Sequence, residues 1–95
     1  MTQTLLVTIT GPDRPGVTTA LLAALAPSGF PVLDIEQVVI RGRLVLGLLL
    51  STDGATSEAR DAATRAVQSA AAELGVECDV APGTAEVGAR HAERL

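Results

Sequence analysis

A chain of 95 residues is long enough for one domain with a single core and too short for two. Its formal charge of −4, with seven basic residues that are all Arg, argues against nucleic acid or an anionic membrane as partner, since both need clustered cations. One aromatic residue, Phe30, removes base stacking as a recognition mode; one cysteine, Cys78, removes any internal disulfide and makes the cytoplasm the expected compartment.

At the N-terminus, Met1-Thr2-Gln3-Thr4 has no basic stretch of the kind that opens a secretion signal, and no apolar run approaches a membrane span. Leu5, Val7 and Ile9 then alternate with Leu6, Thr8 and Thr10, which predicts a strand with one strongly apolar face. The strand runs into "GPDRPGVT", Gly11 to Thr18. This loop meets the phosphate-cradling pattern G-x-x-x-x-G-K-[ST] everywhere except at the lysine, where Val17 stands. No lysine elsewhere can replace it, and Asp13 would set a carboxylate among the phosphates, so the loop is read as something other than a nucleotide site.

Pro15 suits a first helical turn, and Val17, Leu21, Ala24 and Leu25 recur at helical spacing until Pro27-Ser28-Gly29 ends the pattern. Pro31 to Ile40 predicts a second strand carrying Asp34 and Glu36. Arg41-Gly42-Arg43 reverses it into Leu44 to Leu50, a run apolar on both faces that fits a central strand with its second face also covered. Thr56 or Ser57 can cap a second helix with Ala59, Ala62, Ala66, Val67, Ala70 and Leu74 as its apolar stripe, and Gly75 closes it. Val76, Cys78 and Val80 alternate in a last short strand. Pro82 to Leu95 has no period, so the expected organisation is a domain over 1–82 and a polar linker or tail over 83–95.

The order β-α-β-β-α-β predicts an α+β, ferredoxin-like fold: a four-stranded antiparallel sheet with both helices on one face and the first and third strands in the middle. The chemistry is sparse. His91 stands in the tail without a second metal ligand at suitable spacing, Cys78 reads as a small buried hydrophobe, and no nucleophile has a base beside it. No catalytic residue, metal or cofactor is expected.

The loop carries what chemistry there is. Gly16 and Val17 open a helix whose free N–H groups favour an anion, Gly11 and Gly16 let the backbone come close, and Asp13 supplies an acceptor for a cation. That pairing suits a ligand with an ammonium and a carboxylate on one carbon, a free α-amino acid. Two plainer readings stand beside it: Asp13 capping the helix and pairing with Arg14, and Asp34 and Glu36 as solvated charges on an edge strand.

The stretch "GPDRPGVTTALLAALAPSGFPVLDIEQ" resembles the most recognisable half of ACT domains, βαββαβ modules that bind amino acids and regulate metabolic enzymes, and "DIEQVVIRGRLVLGLLLS" is further similar to the N-terminal ACT region of SerB-type phosphoserine phosphatases. The resemblance covers about Thr4 to Pro82. It implies a regulatory amino-acid-binding and oligomerisation domain, with serine or glycine as ligand and the phosphatase's catalytic domain lying elsewhere. It implies a ligand set of Gly11, Asp13, Arg14, Gly16 and Val17 from the loop, with Asp34 and Ile35 of the second strand reaching across a dimer interface. Both acidic positions are often Asn in the family; here each can accept from an ammonium but not donate to a carboxylate. The alternatives kept open are a stand-alone ACT protein and a structural dimerisation module that binds no ligand.

Assembly follows from the sheet. At an edge, the second strand exposes a row of unpaired backbone groups, and Val38-Val39-Ile40 has neither charge nor proline to discourage pairing. A two-fold homodimer through this strand is expected.

Overall fold

The alternation of Leu5, Val7 and Ile9 becomes β1 (Thr2–Pro12), and the chain continues through α1 (Val17–Leu25), a 3₁₀ turn (Ala26–Ser28), β2 (Val32–Ile40), β3 (Arg43–Ser51), α2 (Ser57–Leu74) and β4 (Glu77–Ala85). The structure is a computed structural model that describes residues 2–85. The four strands pair antiparallel in the order β2-β3-β1-β4, with the first and third strands in the middle as the sequence predicts.

The core lies on one face of this sheet. Leu5, Val7 and Ile9 of β1 and Leu44, Leu46, Leu48 and Leu50 of β3 point the same way and are buried against Val17, Leu21 and Leu25 of α1 and Ala63, Val67 and Ala71 of α2. Burying a Leu or Val side chain contributes roughly 1.5–3 kcal/mol, so this layer is the main favourable term in folding. Small alanines on α2 let the two helices pack side by side above the sheet.

Among the described residues no helix covers the opposite sheet face. Leu6 and Val45 in the middle and Val38 and Ile40 on β2 stay exposed there, at 42 to 59% of their free surface. The apolar second face expected of Leu44 to Leu50 therefore exists, and no described residue of the same chain covers it.

Local chemistry explains the joints. At the β2–β3 hairpin Ile40 pairs with Arg43 across a two-residue turn, Arg41 and Gly42, both with positive φ (51° and 80°) as a type I′ turn requires. Thr56 caps α2 by accepting from the Ala59 N–H at 3.0 Å, and Gly75 ends it. A register shift between Val32 and Asp34 puts a bulge at Leu33, near the start of the edge strand.

Three expectations need correction. Pro15 does not sit in α1; it belongs to the turn before it, and the helix starts at Val17. The buried stripe of α2 is Ala63, Val67 and Ala71, while Ala59 and Ala62 are exposed, because the helix is rotated to bring Val67 onto the sheet. Finally, β4 runs three residues beyond the expected boundary at Pro82: Gly83, Thr84 and Ala85 pair with Thr4, Gln3 and Thr2. Pro82 is tolerated because β4 is an edge strand, where a missing N–H need not break a ladder. The rest of the expected tail, with His91, lies outside the described residues.

Candidate functional site

The loop from Gly11 to Thr18 crosses from the end of β1 in mid-sheet toward the β2 edge, and each of its residues is held for a different reason. Gly11 is buried, and a Cβ there would meet Val76 at 2.8 Å from Cγ1 and 3.2 Å from Cα. Its small size serves close packing of β1 under the α2–β4 junction. The Asp13 N–H donates to the Gly42 carbonyl at 2.9 Å and ties the loop to the hairpin turn. Gly16 precedes the helix at φ 86°, a left-handed conformation that its lack of Cβ permits, and nothing lies within 4 Å of where a Cβ would be.

Asp13 itself is exposed. No side chain caps α1, and Asp13 makes no ion pair with Arg14, so the capping explanation of the aspartate does not hold. Arg14 instead reaches toward the end of α2: a Cβ at Gly75 would lie 3.4 Å from its Nη2. There a cation suits the carbonyl end of a helix whose own last turn has no basic residue. Val17 puts its side chain into the core at 2% exposure and can offer a ligand only backbone, and its N–H points to the Arg14 carbonyl at 3.4 Å.

Between the loop and the sheet edge lies a shallow cleft of about 340 Å³, bordered by Asp13, Arg14, Gly16 and the first turn of α1 on one side and by Gln37 of β2 on the other. Its size falls at the lower end of small-molecule sites, roughly 300–1,000 Å³. Thr18 Oγ1 donates to Gln37 Oε1 at 3.1 Å, which fixes the helix start over β2. The sequence reading did not single out Gln37, Thr18 or Thr19. The signal for Gln37 was present: it is the one polar residue among Ile35, Gln37 and Val39, which share the helix-side face of β2.

Asp34 and Ile35 are not part of this cleft within one chain. Asp34 pairs with Leu49, and Leu49 with Leu6, whereas the loop begins beyond Pro12, which pairs with Arg43. Seven strand positions separate Leu6 from Asp13, about 23 Å at the usual rise. The Asp34 carboxylate is half-buried and accepts from the Ile35 N–H at 3.0 Å.

Elsewhere, Cys78 sits on the core side of β4. Burial, and secondarily the neighbouring Asp79 carboxylate, raise its pKa above the ordinary thiol value, which keeps it in the unreactive thiol form. Among the described residues no three of His, Cys, Asp and Glu come together as a metal site, and no helix is long and apolar enough to cross a membrane.

Topology and loop together define the class: a ferredoxin-like βαββαβ domain with its glycine-proline loop at the start of the first helix. The profile of the ACT domain family matches residues 3–81, and the chain belongs to that family.

Over 46 residues the chain is 61% identical to phosphoserine phosphatase SerB2 of Mycobacterium tuberculosis, a match covering 48% of this chain and 11% of that protein. Over 48 residues it is 56% identical to a phosphoserine phosphatase of Streptomyces coelicolor, covering 50% and 12%. These matches span about a tenth of the length of either relative. Among solved structures, the regulatory subunit of aspartate kinase from Thermus thermophilus in its ligand-free form superposes with a TM-score of 0.65 at 27% identity, covering 84% of this chain and 50% of that one.

Proposed function

We propose that this ACT domain is a regulatory unit that binds a small free amino acid, serine or glycine first among them, and belongs to the serine-producing phosphatase context of its relatives. The observation that carries the reading is the cleft at the start of α1, where an exposed Asp13 carboxylate stands beside a helix start with no capping side chain. An ammonium suits the former and a carboxylate the latter. The relatives' names supply the choice of serine, as the product of a phosphoserine phosphatase.

The cleft lies against an open edge. On β2, Val32, Ile35, Val38, Val39 and Ile40 are all 46 to 59% exposed, which supports pairing of this strand with its copy about a two-fold axis. Pairing about the middle of the strand would bring the partner's Asp34 alongside Val38 to Ile40. That segment is level with the loop, because Val39 pairs with Leu44 and Leu44 with Gly11. Ile35, on the same helix-side face as Gln37, and the backbone at Asp34 then border the cleft from the second chain, while the Asp34 side chain stands on the opposite sheet face. The exposed apolar edge equally supports a pairing module without a ligand, and the two readings part at Asp13.

Serine has about seven heavy atoms, and at roughly 1 kcal/mol each, less the desolvation of two charges, the dissociation constant falls between about micromolar and millimolar. Calorimetric titration with serine and glycine across that range is expected to give saturable heat that Asp13→Ala abolishes. No heat with any common amino acid would leave the pairing module as the function.

A further inference from the structure

We infer that Gln37 is the residue that reads the ligand's carboxylate, an assignment that rests on the amino-acid reading of the cleft. The site as described has an imbalance. Asp13 and Asp34 offer only acceptors when ionised, and Arg14, the one cation in the loop, has its guanidinium beside Gly75 at the end of α2. Asp13 matches an ammonium and leaves the carboxylate to the side-chain donors that border the cleft: Arg14, with its guanidinium drawn toward Gly75, the Thr19 hydroxyl and Gln37.

Gln37 is the donor among these that a hydrogen bond already orients. It stands on the helix-side face of β2, across the cleft from Asp13, and is exposed. Its carboxamide is oriented, since Oε1 accepts from the Thr18 hydroxyl at 3.1 Å. With the oxygen engaged, the Nε2 group carries two N–H donors turned away from Thr18, and it donates to no group among the described residues. A planar amide whose oxygen is held on one side turns its Nε2 donors to the other. Thr18 is thus the positioning residue, and the ligand orientation follows: ammonium toward Asp13, carboxylate toward Gln37. An exposed side chain of this kind carries no part of the core, so its substitution leaves the fold intact.

The test uses the full chain and NMR-observed titrations, which follow millimolar binding, with serine and with 2-aminoethanol, the same molecule lacking the carboxylate. Hydrogen bonds to charged groups are worth enough that Gln37→Leu is expected to weaken serine about tenfold to a hundredfold and leave 2-aminoethanol within about twofold. Gln37→Glu is expected to act in opposite directions, weakening serine further and tightening 2-aminoethanol, because a carboxylate then faces the cleft. A merely structural role cannot give opposite signs for two ligands. Equal losses for both ligands, or unchanged serine binding by Gln37→Leu, would overturn the assignment while the amino-acid reading stands. A wild-type chain that binds no amino acid would overturn both.

Discussion

Two glycines lie within the central strands, Gly11 in β1 and Gly47 in β3, and the same substitution is expected to move stability in opposite directions at the two. At Gly11 an added methyl would sit 2.8 Å from Val76 Cγ1, 3.0 Å from its Cβ and 3.2 Å from its Cα. The last two contacts involve atoms that cannot swing aside by a rotamer change, so backbone must move. Such overpacking costs about 1–3 kcal/mol, offset by about 0.4–1 kcal/mol because alanine restricts the unfolded chain. The net loss for Gly11→Ala is then roughly 0.5–2 kcal/mol. At Gly47 nothing lies within 4 Å of the new methyl, which points to the uncovered sheet face, so only the unfolded-state gain of about 0.4–1 kcal/mol remains. Urea unfolding at constant m-value reads both, and adding Val76→Ala to Gly11→Ala, which removes the 2.8 Å contact and leaves those to Cβ and Cα, should recover part of the loss, about 0.5 kcal/mol, relative to additivity. Gly11→Ala as stable as the wild type, or no coupling to Val76, would refute the claim that this glycine is required by packing.

The remaining predictions concern the thiol and the cap. The chain has no Lys and no Tyr, so between roughly pH 8.5 and 12 Cys78 is the one side chain that titrates. Its raised pKa means that the folded state holds the thiol proton more tightly than the unfolded state does. Stability is therefore intact below the ordinary thiol range, falls as pH rises through it, and levels off above the raised pKa. Urea midpoints across that range should show the fall in the wild type and lose it in Cys78→Ala; an undiminished fall in the variant would assign it to another group. Thr56→Ala removes the acceptor for the Ala59 N–H and should cost about 1 kcal/mol in the same assay, with Thr56→Ser retaining most of it. A negligible cost would mean that water replaces the cap.

The strands and their order were legible because the period of two in Leu5 to Ile9 and the reversal at Arg41-Gly42 are local signals that the sheet does not override. The face of α2 was legible in part: Val67, Ala70 and Leu74 of the expected stripe meet the core, but alanines occur all round the helix and composition alone cannot choose among them. Val67 and Leu74 mark the side that meets the core, and Ala63 and Ala71 follow from Val67 at i±4. The end of β4 was hidden by Pro82 and Gly83, poor strand formers that an edge strand can carry. At the loop, the motif does not tell what each residue does: Gly11 is small for Val76, Val17 is core, and Arg14 lies near Gly75 at the end of α2. Gln37 escaped because charge drew attention to Asp34 on the other face of the same strand, although the alternation of β2 places Gln37 toward the helix that the loop opens.

Whether a second copy completes the ligand site across β2 is read by sedimentation velocity at micromolar concentration with and without serine. A ligand that bridges two chains favours the associated state by mass action, so the account predicts a dimer whose share rises with serine, and no such rise in Asp13→Ala, which should still dimerise without ligand. A monomer under both conditions, or a dimer indifferent to serine at saturating concentration, would contradict it.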